Sequence, residues 1–337
     1  MSNSNVLTAL PLPTGSSLVA DETATGLSLS LEGQPLIQLQ LTREPELLLQ
    51  LHEGAASLDN RAVWAACYWL FARDSACQRL LWQLDEVPPA ALLSALLVPT
   101  DTVGQYRSER SLFWQLPQPW LGHSLTGCYP QQMVISGGKR HPLRPPKPCG
   151  EVYRRFDVRL GAWISLRTVD INEDLARFNR WQNSPRVANF WQEQGSLQQH
   201  REYLGKLQDD PHTLTLIGCF DDQPFAYFEA YWAKEDRIAP FYDADDYDRG
   251  IHMLVGEEHH RGPHKVASWL SALVHYLFLD DPRTRRVVAE PRADNAKMIG
   301  HMQGRGFHCE KEFDFPHKRA ALMALGRERF FDRCSLT

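Results

Sequence analysis

The feature that most constrains this chain is the run Arg249-Gly-Ile-His-Met-Leu-Val-Gly256, followed shortly by Arg261-Gly-Pro-His-Lys265 and a long apolar-striped segment. The first run suits a buried strand and ends at a glycine. The last carries Val266, Trp269, Leu270, Leu273, Val274, Leu277 and Phe278 at i, i+3, i+4, i+7 spacing, which predicts a helix with one face on a core. Unpaired amides at the start of a helix that follows a strand through a tight loop favour anions. The stretch therefore predicts a phosphate-bearing ligand, and His252 sets a titratable imidazole beside it.

A chain of 337 residues, 43% of them hydrophobic, suffices for two folded domains. A net charge of -5 argues against general affinity for nucleic acid or an anionic membrane surface. The cysteines Cys67, Cys77, Cys128, Cys149, Cys219, Cys309 and Cys334 are odd in number and lack C-x-x-C spacing, as expected of reduced thiols. The start of the chain has no basic segment leading into an apolar run, and nowhere does an apolar run reach membrane-spanning length. A cytoplasmic protein is expected.

The first fifteen residues, with Pro11, Pro13 and Gly15, read as a loose start. Alternation over 27–31 and 36–41 predicts a hairpin, 59–71 a helix behind an Asp59 N-cap, 79–84 a buried strand and 90–97 a further helix. Gly137 to Pro148 is rich in turn formers and prolines and reads as a solvated linker between an N-terminal α/β domain, 1–136, and a second domain, 151–337. There 153–160 and 162–167 read as extended, 170–181 and 196–207 as helices, and 213–220 with 224–232 as a hairpin. Period two puts Phe225, Tyr227, Glu229 and Tyr231 on one face, where Glu229 either binds a substrate amine or anchors a buried hydroxyl or arginine. Asp243, Asp245, Asp246 and Asp248 read as a solvated acidic loop. The chain then continues as strand, loop, helix, strand 284–290, helix 295–305 and strand 320–325.

Residues 69–81 match 276–288 without gaps, each an amphipathic helix end, a turn and a strand entered after arginine. Either the halves share one topology, with Gln38 or Gln40 where the second has His252, or the match is chance.

Phe178-Asn-Arg-Trp181, Asn183-Ser-Pro-Arg-Val187, the run through Gly256, Phe278 to Pro291 and Phe315-Pro-His-Lys318 resemble the siderophore acyltransferase branch of the GNAT superfamily, over roughly residues 150–331. The resemblance implies an α/β GNAT fold in the C-terminal half, with the N-terminal α/β domain open to being a degenerate GNAT-like copy. It implies acetyl transfer from acetyl-CoA to the side-chain hydroxylamine of hydroxylysine, giving a hydroxamate for a siderophore of the aerobactin type. Hydroxyornithine, a hydroxylated diamine or another acyl-CoA stays open, as does a noncatalytic acyl-CoA-binding protein. Other enzymes of siderophore assembly and a second copy of the chain are compatible partners.

A hydroxylamine is mostly neutral near pH 7, so a mild base suffices, and His252 suits that role. The resemblance gives Met253, Leu254 and Val255 to the thioester oxyanion, and Arg261, Gly262, His264, Lys265 and Asn295 to the cofactor. Relatives carry an acid after Glu-Pro where this chain has Arg292, which leaves Asp294 or Glu290 to orient the imidazole, with Asp294 preferred for its place beside Asn295. His264 and Val266 replace small residues of the phosphate loop, and Met302 stands where relatives often have a tyrosine acid. Trp191, Glu229 and Tyr231 are candidates for the amino-acid end of the acceptor. His259, His260 and His264 lack a completing carboxylate or cysteine, so no metal is expected.

Overall fold

Alternating runs such as GLSLSL and QPLIQLQLT become strands in the computed structural model, with leucines on the buried face and Ser and Gln on the other. The structure describes residues 8–43, 46–52, 58–123, 131–333 and 336. The chain divides into two units, residues 1–119 with 156–161 and 331–337, and residues 120–155 with 162–330.

The first unit contains β1 (Ala9–Pro11), β2 (Ser17–Glu22), β3 (Gly26–Leu31), β4 (Gln34–Thr42), β5 (Leu48–Leu51), α1 (Asn60–Arg73), β6 (Arg79–Gln83), α2 (Ala90–Ala95), β7 (Val98–Pro99), β8 (Gln105–Glu109) and α3 (Arg110–Phe113). The sheet order is β1-β2-β3-β4-β5-β6-β8-β7, parallel only between β5 and β6. Part of the expected loose start is therefore a strand, Ala9–Pro11, paired with β2, while residues 1–7 lie outside the described residues. Asp59 caps α1 as expected, accepting from the Ala62 amide at 2.8 Å. Ten residues of α1 are buried, so the helix is enclosed on nearly every side rather than along one stripe.

The second unit begins with a hairpin, β9 (Met133–Ser136) and β10 (Lys139–Pro142). Its main sheet follows the chain as β11 (Glu151–Asp157), β12 (Ala162–Thr168), α4 (Ile171–Gln182), α5 (Pro185–Trp191), α6 (Leu197–Asp209), β13 (Thr213–Phe220), β14 (Gln223–Trp232), β15 (Arg249–Val255), α7 (Pro263–Asp280), β16 (Arg286–Ala289), α8 (Ala296–Gln303), β17 (His308–Phe315) and β18 (Lys318–Gly326). The order is β11-β12-β13-β14-β15-β16-β18-β17, with β15 and β16 parallel. Leu175, Phe178, Trp181, Val187 and Leu204 of α4–α6 pack on one face against Ile217, Tyr227 and Leu254. On the other face Trp269 of α7 stacks on Phe228, with ring centroids 5.3 Å apart. β17 lacks a strong apolar period because it is an edge strand lined with His308, Glu310, Lys311, Glu312 and Asp314, charges that discourage edge pairing.

Strand, helix, parallel strand, then an antiparallel strand with an outer partner recurs in both sheets, β5-α1-β6-β8-β7 and β15-α7-β16-β18-β17. The chief difference is that β2 runs straight into β3, whereas α4–α6 separate β12 from β13.

The expected solvated linker is instead a strap fastened to the second unit. Lys139 Nζ donates to the carbonyls of Glu235 and Asp236, both at 2.6 Å. Arg144 grips the Glu235 carboxylate at 2.5 and 2.6 Å and lies 4.2 Å over the Trp232 ring. Lys147 Nζ donates to the carbonyls of Leu207, Gln208 and Asp210. The acidic connection is also less solvated than expected, since Asp248 is fully buried and paired with Arg286 at 2.8 Å. Cys67, Cys77, Cys149, Cys219 and Cys309 are free thiols, and Cys128 and Cys334 lie outside the described residues. Among the described residues no helix is long and apolar enough to cross a membrane.

Candidate active site

His252 stands on β15 opposite Glu229 of β14, with its ring between two carboxylates. Nδ1 donates to Glu229 Oε2 at 2.7 Å, and Nε2 to Glu290 Oε1 at 2.6 Å. Strand periodicity produces this meeting. Gly250 is in register with Val288, so two residues further along, His252 and Glu290 come to the same face where the strands part. Both carboxylates are held in turn. Glu229 Oε1 accepts from the hydroxyls of Tyr203 at 2.5 Å and Tyr227 at 2.9 Å, and Glu290 Oε2 accepts from Tyr231 at 2.7 Å.

Burial alone would favour the neutral imidazole, but the charge of Glu290 and the hydrogen bonds to both carboxylates outweigh it and raise His252 to about 10. Burial likewise pulls the two carboxyls up, and the imidazolium pulls them further down, Glu290 to about 2. At neutral pH an imidazolium therefore stands between two carboxylates. The carboxylates are 4% and 2% exposed, whereas 21% of the His252 side chain is open to solvent, so a ligand approaches through the ring. Trp191 flanks that approach, its ring edge-on at 6.3 Å and its Nε1 donating to the Met253 carbonyl.

The strand beside His252 leaves backbone groups without a strand partner. Gly256 N donates to Phe225 O, so even-numbered residues of β15 bond toward β14 and odd-numbered ones face the β16 side. β16 is in register only at Arg249 and Gly250, and the carbonyls of Met253 and Val255 accept instead from Trp191 and from Arg186. The amides of Met253 and Val255 thus face a gap between diverging strands. Leu254 does not join them, because its amide faces β14 and its side chain lies in the core at 2% exposure.

At the helix start Gly262 adopts φ +130, a conformation open to glycine, and a Cβ there would meet the His264 ring at 3.1 Å. Pro263 occupies the first helical position and donates nothing, leaving the amides of His264 and Lys265 in the first turn. The Lys265 side chain turns back to the His259 carbonyl and the His260 ring, and the side chains of Arg261 and His264 are exposed. Arg186, whose place in the Asn183–Val187 run gave no sign of a role in the site, reaches this loop through the carbonyls of Val255 and Gly256.

Asp294 is not the partner of His252. Its carboxylate is bound by Arg292 at 3.0 and 2.6 Å and is 63% exposed, because a cation two residues away captures it before it can reach the ring. Asn295 caps α8 through the Met298 amide at 3.2 Å. Glu229 and Tyr231, expected at the amino-acid end of the acceptor, instead hold His252 and Glu290, and neither has a free polar atom for a ligand. Tyr231 lies flat against Gly250, where a Cβ would come within 1.9 Å of its ring. Gly250→Ala is therefore expected to push the Tyr231 hydroxyl off Glu290 and to destabilise the fold by about 1–3 kcal/mol in denaturant titration. An unchanged midpoint would show that the ring has room to move.

The first sheet repeats the register without the charges. Gln40 faces Gln50 across β4 and β5, and Gln50 pairs with Gln83 across β5 and β6. The match of 69–81 with 276–288 sets Gln83 at the place of Glu290, so Gln40, Gln50 and Gln83 stand where Glu229, His252 and Glu290 stand in the second sheet. The equivalent of His252 is thus Gln50; Gln40 takes the place of Glu229, and Gln38 neither.

A family model described as acetyltransferase (GNAT) domain matches residues 170–315. An N(6)-hydroxylysine O-acetyltransferase of Escherichia coli is 46% identical over 238 residues, covering 69% of this chain and 75% of its own length. An N(5)-hydroxyornithine:cis-anhydromevalonyl coenzyme A-N(5)-transacylase of Beauveria bassiana (strain ARSEF 2860) is 48% identical over 229 residues, 66% of this chain and 50% of its own. Among solved structures, an uncharacterized protein from Bacillus halodurans superposes with a TM-score of 0.53 at 29% identity, over 56% of this chain and 95% of that one.

Proposed function

The chain belongs to the GNAT acetyltransferase family, and on that premise we propose that it transfers an acetyl group from acetyl-CoA to the side-chain hydroxylamine nitrogen of hydroxylysine. The product is a hydroxamate, whose hard oxygen donors suit ferric iron, so the reaction belongs to assembly of a siderophore of the aerobactin type. The observation that carries this reading is the Glu229–His252–Glu290 array beside the unpartnered amides of Met253 and Val255. The names of the Escherichia coli and Beauveria bassiana relatives support a hydroxylated amine as acceptor.

His252 is the base in this reading. It first gives its Nε2 proton to solvent, and the acceptor then takes the place of Glu290 on Nε2. Glu229 keeps the remaining proton on Nδ1 and fixes the tautomer. Glu290, released from the ring, receives the O–H of the hydroxylamine, which leaves nitrogen as the nucleophile. Nitrogen attacks the thioester carbon, its proton passes to Nε2, and the amides of Met253 and Val255 meet the oxyanion. Collapse breaks the C–S bond, and the thiolate takes a proton from solvent, because Met302 is buried and carries no acid. The CoA pyrophosphate rests on the first amides of α7 with Arg186 and Arg261 nearby. The first unit, with glutamine at all three positions, supplies no base.

The raised imidazole sets the pH dependence. Its proton is held below about 10 and lost above it, so kcat/KM is expected to climb with pH from neutrality toward about 10. A profile flat from pH 6 upward would contradict His252 as base. The acceptor is tested by thiol release from acetyl-CoA, which should run at least about 100-fold faster with hydroxylysine than with lysine, since lysine offers no O–H and is protonated. Equal rates would refute the hydroxylamine assignment. The Beauveria bassiana relative favours including hydroxyornithine and longer acyl-CoA donors in the same assay.

A further inference from the structure

We infer that Arg237 binds the α-carboxylate of the acceptor and so selects a hydroxylated amino acid over a hydroxylated diamine; this rests on the hydroxylamine acylation proposed above. Arg237 lies in the connection from β14 to β15, and its Nη2 stands 3.9 Å from Glu290 Oε1, the same oxygen that accepts from His252 Nε2. Guanidinium and imidazole are thus neighbours across one carboxylate oxygen. At that distance the pair is ionic without a hydrogen bond, and among the described residues Arg237 donates no hydrogen bond to the protein. Its guanidinium lies over the Phe315 ring at 5.5 Å, and its side chain is 53% exposed. A planar cation braced on an aromatic face with its donors unused is built to take a carboxylate in two parallel hydrogen bonds.

Three further observations narrow the ligand. The backbone just before Arg237 is pinned, because Lys139 holds the carbonyls of Glu235 and Asp236 and Arg144 holds the Glu235 carboxylate, so the cation is presented on fixed chain. Among the described residues two further cations near this point are already engaged, Lys318 with the Glu290 carbonyl at 2.7 Å and Arg292 with the Asp294 carboxylate at 3.0 and 2.6 Å. The connection also lies at the end of β15 opposite the Gly256–Gly262 loop, away from the helix start that suits the CoA phosphates. The anion that Arg237 awaits therefore belongs to the acceptor. The four-carbon arm between hydroxylamine and Cα bridges His252 and Arg237 across the intervening carboxylate.

The test compares wild type, Arg237→Ala and Arg237→Lys with N6-hydroxylysine and with N-hydroxycadaverine, which has no carboxylate. Arg237→Ala is expected to raise KM for hydroxylysine about 10- to 100-fold with kcat little changed. It should leave KM for N-hydroxycadaverine as it is, and Arg237→Lys should recover part of the loss. Retained turnover of the diamine shows that the variant folds. Equal losses with both acceptors, or none with either, would overturn the inference while leaving the acyltransferase intact. Absence of wild-type turnover with either acceptor would sink the underlying function as well.

Discussion

Replacing His252 by alanine is expected to lower turnover about 1,000-fold while leaving acyl-CoA affinity within a few-fold. Among the described residues the imidazole is the one group hydrogen-bonded to both carboxylates and open to solvent, and in the first sheet Gln50 takes its place. Removing the ring leaves Glu229 and Glu290 buried without the cation between them, so the alanine variant should also lose stability. His252→Gln keeps hydrogen-bonding capacity at that point and separates the effects. It should fold with a Tm above that of the alanine variant but below wild type, because the amide brings no charge to the two carboxylates, and it should remain as inactive as the alanine variant. Turnover within about tenfold of wild type in a folded variant would remove His252 from the chemistry.

Glu290→Gln should lower kcat about 100-fold and move the inflection of kcat/KM down from about 10 toward the ordinary histidine range. The direction follows from the charges. Burial depresses the imidazole, and the charge of Glu290 heads the contributions that raise it, so a neutral amide removes the largest upward push while those of Glu229 stay. The rate falls because the amide is a poorer acceptor for the hydroxylamine O–H and no longer offsets the imidazolium formed as nitrogen gives up its proton. A pH profile unmoved by the substitution would show that Glu290 does not set the state of His252.

Strong periodicity made the scaffold legible. The stripe of α7, the cap at Asp59 and the β13–β14 hairpin are local features, and the structure reproduces each. His252 was also legible, as the one polar residue midway along an apolar strand. Its partners were not, because they depend on register. Period two left Glu229 either to a substrate amine or to a buried hydroxyl or arginine, and the folded chain shows it holding the Tyr203 and Tyr227 hydroxyls together with His252, while Glu290 reaches the ring only because Gly250 pairs with Val288 and the strands then part. Arg292 so near Asp294 was a sign that the carboxylate is already spoken for, whereas Glu290 has no such neighbour in sequence. The strap misled for a related reason. Lys139, Arg144 and Lys147 read as solvated charge in a proline-rich run, and only the folded chain shows them closing on carbonyls and a buried carboxylate. The repeat was visible as one helix-to-strand match, but locating Gln50 opposite Gln40 required the strand pairing.

The most direct test of nitrogen acylation follows thiol release and ferric-hydroxamate colour together as the protein, acetyl-CoA and hydroxylysine react. One hydroxamate per thiol is the expected result. Thiol release that depends on hydroxylysine but gives no ferric colour would place the acetyl group on oxygen or on the α-amine and contradict the roles given to His252 and Glu290.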